Sequence, residues 1–410
     1  MRIAIPTRFA HRAGGVETYL ESVLPALQAR GHEVGLWHEF PCDPAAGSIA
    51  PGNVRLSPLA RPADASVNAL ADLAAWQPDV IFSQGINAVA LESRMPDVAP
   101  LAVMLHAYHG TCISGTKTHS FPHVQPCSRA LGPGCLLQFH ARRCGGLSPV
   151  SMLRDYREQR VRQRLLRTCA RVLTISEHMR RECIAQGVDP THVHTIPAFA
   201  PPVAGPVERQ ASTGDRLHLL FAGRLEQLKG PHLLLEAIGL LEPQDRARVR
   251  LTMVGDGREY GRCAGLAQNL RAQGAEVVLT GWKSQADCLE LIRTADLLVV
   301  PSIWPEPFGL VGLEAATVGV PALAFALGGI PEWLLHGRTG IVVDAPPSAA
   351  ALALALGTCV ADPGTLRRWG AEARSTAAQR TLDGHVDTLE QALAGAAMLA
   401  STWGSAMRAR

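Results

Sequence analysis

Apolar strand-like runs alternate with helix-like segments along the whole chain, stop once at a proline-rich stretch, and then resume. Such alternation argues for parallel sheets, because parallel strands need a long crossover connection and a helix supplies one. In the first half IAIP (3–6), EVGLW (33–37), VIFSQ (80–84), LAVMLH (101–106) and RVLTIS (171–176) read as strands, with helices expected over 16–30 and 151–169. The stretch PAFAPPVAGPVERQASTGD (197–215) has no apolar periodicity and reads as a linker. Beyond it come LHLLFAGR (217–224), a helix over 231–241, RVRLTMVGDG (248–257), AEVVLTGW (275–282), ADLLVVPS (295–302), PALAFALGG (321–329) and GIVVD (340–344). A chain of 410 residues exceeds one ordinary core. The expected class is α/β, with one doubly wound domain over 1–200, a linker over 201–215, a second over 216–384 and a terminal helix over 385–410.

Composition narrows the setting. Apolar residues make up 47% and charged residues 18%, which suits a folded globular chain rather than a disordered one. No apolar run approaches the roughly 20 residues that span a bilayer, and the Ala/Leu run at 349–356 reads as one face of a packed helix. The start, MRIAIPTRF, lacks an apolar signal core and reads as a first strand. A cytoplasmic setting is therefore expected, in which the ten cysteines stay reduced. The basic residues are lopsided, with only Lys117, Lys229 and Lys283 as lysines among 39 Lys and Arg. A retained lysine is more informative than any one arginine in that background.

The segment WPEPFGLVGLEAATVGVPALAF carries two glutamates eight positions apart, Glu306 and Glu314. Pro305, Pro307 and Gly309 mark a loop after the apolar strand, so a helix should begin near Gly309 or Leu310. Glu306 would then lie at the strand's carboxyl end and Glu314 about a turn into the helix. The unpaired N–H groups of Gly309, Leu310, Val311 and Gly312 would form an anion site between them. Carboxylates bind hydroxyls and a helix start binds phosphate, which suits a sugar linked to a phosphate; a nucleotide sugar is the candidate ligand. Upstream, Arg224 ends the strand of FAGRLEQLKG, and Lys229 stands just before a helix that Pro231 helps to start. A guanidinium and an ammonium suit a diphosphate whose charge grows as a leaving group departs; the plainer reading is two surface cations flanking a helix start. Gly14 and Gly15 follow the first strand and precede a helix near Val16, where a backbone can approach a phosphate or an acceptor closely.

These motifs together resemble the retaining glycosyltransferases of family 4, the glycogen-synthase or glycosyl-transferases group 1 type. The resemblance runs nearly end to end, through HRAGGVETYL, FAGRLEQLKG, VGDG, EPFGLVGLE and GGIPEWLLHGRTGIVV. It implies the GT-B fold of two facing Rossmann-like domains, with donor diphosphate on Arg224 and Lys229, transferred sugar on Glu306 and ribose on Glu314. It also implies a terminal helix that returns to the first domain. In that family a histidine at the end of the LAVMLH strand sits near the donor sugar, usually followed by Asp. Here His106 is followed by Ala107, and His106 is expected to orient the sugar or reaction centre. The family's mechanism, front-face displacement in which the leaving phosphate helps deprotonate the acceptor, needs no resident cofactor or catalytic metal.

Residues 107–150 form the least familiar part. Cys112, Cys127, Cys135 and Cys144 fall there with His109, His119, His123 and His140, but no CxxC pair occurs. Two readings stand, a structural zinc or cross-link and free, partly buried thiols. Related enzymes carry a variable loop here, where acceptors bind. Arg157, Arg160, Arg164, Arg167 and Arg171 share one side of a predicted helix, with Arg162 as the exception. That face, over 154–171, is either solvated or a peripheral contact with an anionic inner-membrane face or a phosphorylated acceptor. Nucleic acid is not an expected partner, for want of interleaved aromatics.

The expected activity is that of a metal-independent, retaining transferase moving a hexose-type sugar from a UDP or GDP donor to a saccharide, lipid-linked or small-molecule hydroxyl, as in bacterial polysaccharide or glycoconjugate synthesis. The alternatives are a non-catalytic nucleotide-sugar-binding protein, and a sugar-phosphate synthase or phosphorylase.

Overall fold

The apolar runs fold into two parallel sheets in the computed structural model, which describes residues 1–41, 43, 47–59, 70–200 and 216–407. The linker expected at 201–215 lies outside the described residues. One compact unit comprises Met1–Pro122, Cys127–Ala198 and the chain from Leu382 onward; the other comprises His123–Pro126 and Phe199–Thr381.

In the first unit the strands are β1 (Arg2–Thr7), β2 (Glu33–His38), β3 (Arg55–Pro58), β4 (Val80–Ser83), β5 (Leu101–Leu105), β8 (Arg171–Thr174) and β9 (Val193–Thr195). The two-residue strands β6 (Thr118–His119) and β7 (Gln125–Pro126) fall in the segment after β5. The sheet order is β3-β2-β1-β4-β5-β8-β9. Because β1 pairs in parallel with both β2 and β4, the winding reverses between β1 and β4, where doubly wound sheets bind ligands. Strands β3 and β9 are edge strands with few apolar residues, and neither is expected from the sequence.

In the second unit β10 (Leu217–Ala222), β11 (Val249–Val254), β12 (Glu276–Leu279), β13 (Leu297–Val300), β14 (Ala322–Phe325) and β15 (Gly340–Val343) lie in the order β12-β11-β10-β13-β14-β15. Its winding reverses between β10 and β13, so the loops after Ala222 and Val300 emerge at the switch point. Leu219, Leu234, Leu251, Leu297 and Leu352, all fully buried, are among its core.

Two helices of the first unit bear on its charged groups. The helix Pro149–Thr168 starts at Ser148, whose hydroxyl accepts from the Ser151 N–H at 3.4 Å. It ends before Arg171, which lies on β8; Arg171 therefore does not belong to the expected arginine stripe on a helix. Arg157, Arg164 and Arg167 on that helix are exposed, while Arg162 turns inward. The helix Leu382–Met407 completes the first unit. Glu390 bonds Arg30 at 3.1 Å and His32 at 3.0 Å, Asp387 pairs with Arg30, and the His385 ring meets the Tyr19 hydroxyl at 3.0 Å.

Among the described residues no single helix is long and apolar enough to cross a membrane. All nine described cysteines are free, and among the described residues no group of three His, Cys, Asp or Glu side chains is arranged to hold a metal ion. Cys135 and Cys144 pack instead against the buried cluster of Ile113, Leu131 and Phe139, as small apolar side chains do.

Candidate functional site

In the second unit, three loops are fitted backbone to backbone at the carboxyl ends of β10, β11 and β13. The loop after β10 is seated on its neighbours by glycines. A Cβ on Gly255 (φ +137) would lie 1.9 Å from the Gly223 carbonyl, and one on Gly230 (φ +66) would lie 2.0 Å from the Pro301 carbonyl. The Ile303 N–H donates to the Leu228 carbonyl at 2.8 Å, which draws the Lys229 loop onto the loop after β13.

That seating brings Lys229 to Glu306, 77 positions away: Nζ lies 2.7 Å from Oε1. The Ser302 hydroxyl donates to the same oxygen at 2.5 Å, and the Lys229 ammonium stands over the Trp304 ring, 5.1 Å from its centroid. Glu306 is buried, so its charge is held by a cation and a hydroxyl rather than by bulk water. Its backbone is held as firmly. The Gly329 N–H donates to the Glu306 carbonyl at 2.7 Å, and Gly328 (φ +66) leaves a Cβ no room, with the Glu306 carbonyl 2.1 Å away.

The helix begins at Leu310 and runs to Thr317. Its N-cap, Gly309, has φ 92° and offers no capping side chain, so the N–H groups of Leu310 and Val311 keep their capacity for an anion. Gly312 admits the Trp333 indole, whose Nε1–H donates to the Phe308 carbonyl at 2.7 Å, pinning the loop. Glu314 lies one turn on, partly buried; burial raises its carboxyl above the usual range, while a hydrogen bond with Gln285 opposes the rise. Arg224 stands exposed after β10, and among the described residues its guanidinium has no ion pair or hydrogen bond. The second unit thus unites Lys229, Glu306, Gly309, Leu310 and Val311 around one helix start, with Glu314 along the helix and Arg224 on the next strand end.

Gly14, Gly15 and His106 belong to the first unit. Gly14 is extended and caps the helix Gly15–Ala29, accepting from Thr18 Oγ1 at 3.1 Å; nothing lies within 4 Å of a Cβ placed on Gly15. His106 comes directly after β5, and its Nε2 lies 2.9 Å from the Gln84 side-chain oxygen. Gln84, at the end of β4, is the polar partner that Ala107 cannot be. The strand run VIFSQ could have pointed to it, since side chains just past parallel strands line the switch point.

Two histidines of this unit, His385 buried and His106 partly buried, should make it sensitive to acid. His385 Nδ1 donates to the Pro197 carbonyl at 2.7 Å, so Nε2 accepts from the Tyr19 hydroxyl. Burial pushes His385 down to about 4, and burial, then His385 and His109, push His106 down to about 4. Unfolded imidazoles titrate near 6.5, so the unfolded chain takes up protons that the folded one refuses. The stability owed to neutral rings is complete above roughly pH 6.5 and is lost as pH falls toward 4. The melting temperature should fall steeply across that window, less so in His385→Asn; a flat profile would refute the assignment.

Both halves of the chain match known glycosyltransferase families. The model described as Glycosyltransferase Family 4 matches residues 13–201, and that described as Glycosyl transferases group 1 matches residues 207–376. A D-inositol 3-phosphate glycosyltransferase of Streptomyces scabiei is 36% identical over 171 residues, 40% of this chain and 38% of that protein. A glycogen synthase of Mycobacterium tuberculosis is 35% identical over 166 residues, 40% of this chain and 39% of that one. The aligned stretch thus spans about two-fifths of the length of these curated relatives. Among solved structures, Anabaena HepE in complex with UDP and glucose superposes with a TM-score of 0.69 at 21% identity, over 96% of this chain and 99% of that one. Sucrose-phosphate synthase from Thermosynechococcus elongatus gives 0.70 at 21%, over 95% and 97%. These likenesses are of fold, two Rossmann-like sheets of the GT-B kind.

Proposed function

The chain belongs to glycosyltransferase family 4, and from that premise we propose that it transfers a sugar from a nucleoside-diphosphate donor to an acceptor hydroxyl, with retention of configuration. The observation that carries the reading is the pairing of the buried Glu306 carboxylate with the partly exposed Lys229 ammonium, just before an uncapped helix start. A diphosphate placed there meets the Leu310 and Val311 N–H groups, the Lys229 ammonium and the unengaged Arg224 guanidinium. Negative charge grows on the leaving diphosphate as the sugar carbon–oxygen bond breaks, and these cations stabilise it in the role a metal ion plays elsewhere. Glu306 then faces the hydroxyls of the transferred sugar, and Glu314 accepts from the ribose diol.

Retention results if the acceptor approaches on the face the diphosphate leaves. The acceptor oxygen bonds to the sugar carbon as that carbon's bond to the diphosphate breaks, and the acceptor's proton passes to a departing phosphate oxygen. No carboxylate nucleophile is required. His106, neutral and fixed by Gln84, orients the sugar, while Gly14 and Gly15 let the first unit's backbone approach its ligand.

UDP-glucose is the first donor to test, because HepE was crystallised with it. Calorimetry with UDP, GDP and their glucose conjugates should find one tight nucleoside diphosphate. NMR of the product should show the donor's anomeric configuration, and EDTA should leave turnover unchanged. Inverted product would sink retention, and loss of activity in EDTA would sink metal independence. Tight binding with no hydrolysis or transfer would favour a non-catalytic binder.

A further inference from the structure

The first unit holds a cavity of about 200 Å³ at the carboxyl ends of β1, β4 and β5. Its charged and ring-nitrogen lining is Arg8, Glu92, His106, His109 and Arg162; the amides Gln84 and Asn87 also face it, among mostly apolar side chains. The one carboxylate in this lining is fully engaged. Glu92 is 1% exposed, accepts from the Ser83 hydroxyl at 2.6 Å and pairs with Arg162 at 2.6 Å. Arg162 also donates to the Ile86 carbonyl, which fixes its guanidinium in the wall. Arg162 breaks the arginine stripe of its helix because it serves this cavity instead.

Arg8 is the charge left over. It is exposed and stands over the Phe9 ring at 5.5 Å, and among the described residues its guanidinium makes no hydrogen bond or ion pair. Of the acids near Arg8 outside this lining, Glu17 is buried, which raises its carboxyl, and the Glu39 carboxylate is taken up by the Asn87 and Ala88 N–H groups at 2.7 Å each. His109 opens onto the cavity while the wall crowds it; that crowding, then Arg162 and Arg8, pushes its imidazole down to about 4. A cavity built for a neutral sugar would leave carboxylate oxygens free for hydroxyl donors. Here the Arg8 guanidinium is free, while the carboxylate is spent on Ser83 and Arg162. Arg8, His109 and the fixed Arg162 come from three elements (the end of β1, the loop after β5 and the helix Pro149–Thr168), so they meet a ligand from three directions, as the oxygens of a tetrahedral anion require.

We propose that the acceptor is phosphorylated and that its phosphate lodges in this cavity between Arg8 and His109, with Arg162 behind. The assignment rests on the proposed transfer, in which the first unit receives the acceptor. An arriving phosphate also reverses the field at His109, drawing its proton affinity upward.

The test uses the full chain and inorganic phosphate as probe. His109, assigned in NMR spectra through His109→Gln, reports only on this cavity and not on the second unit's helix start. Saturating phosphate should raise the His109 titration midpoint by at least one pH unit. Acetate should act at least tenfold more weakly. Arg8→Gln, at an exposed position, should keep the melting temperature and weaken the phosphate effect tenfold or more. An unmoved His109, an equal effect of acetate, or an unchanged response in Arg8→Gln overturns the proposal. Sugar-donor hydrolysis is measured in parallel. Turnover with an unmoved His109 defeats the phosphorylated acceptor alone. A phosphate response in a protein that turns over no donor supports the cavity and defeats the transferase reading.

Discussion

Lys229→Ala is expected to lower kcat for the sugar donor by a factor of about 10²–10³, the range seen when one preorganised donor to a developing charge is removed. Affinity for the free nucleoside diphosphate should fall less, because the leaving group carries its full charge only as the bond breaks. The substitution also has a structural effect that must be separated from the chemical one. It strands the buried Glu306 carboxylate with only the Ser302 hydroxyl; breaking a fully buried pair costs about 3–5 kcal/mol, and the partial exposure of Lys229 brings the cost below that. Lys229→Ala with Glu306→Gln removes both charges and should recover most of the melting temperature without recovering turnover. A Lys229→Ala enzyme within about threefold of wild type would overturn the assignment, as would activity returning with stability in the double variant.

Gly328→Ala should be among the most damaging single methyls in the second unit, and the one that bears directly on Glu306. At φ +66 a side chain is already strained, by about 1–2 kcal/mol, and the new carbon would overlap the Glu306 carbonyl at 2.1 Å and its N at 2.5 Å. Backbone cannot yield as a side-chain tip does, so the loop must move and take the Glu306 carboxylate from Lys229. A loss of about 3 kcal/mol or more is expected, a fall in melting temperature of roughly 6–12 °C, with turnover reduced as far as in Glu306→Gln. Gly281→Ala is the control: it shares a positive φ of 71° but has nothing within 4 Å of the added carbon. It should melt only slightly early and keep full activity. Equal behaviour of the two variants would show that backbone strain alone, and not the seating of Glu306, is at stake.

Much of the frame was legible because central parallel strands are apolar on both faces and read as continuous runs. LLVV and LHLLFA announce β13 and β10 in that way. The edge strands β3 and β9 were not legible, since RLSP and VHT carry half-exposed, polar positions. The helix start after Gly309 could be read from proline and glycine punctuation. The Lys229–Glu306 contact could not, because nothing local to either residue encodes a partner 77 positions away. Gly230, Gly255 and Gly328 were hidden for a related reason: their role is to leave space for backbone that only the fold brings near. Arg162 showed itself as an exception in a pattern, and only the position of Glu92 gave the exception a cause.

The helix Leu382–Met407 has a consequence for the order in which the protein can mature. Tyr19, Arg30 and His32 find their partners at His385, Asp387 and Glu390, which leave the ribosome only after the whole of Phe199–Thr381. The second unit can therefore close its core during translation, while the first waits open although its strands are made first. Vectorial synthesis is inverted here: the earliest residues of the chain are the last to settle.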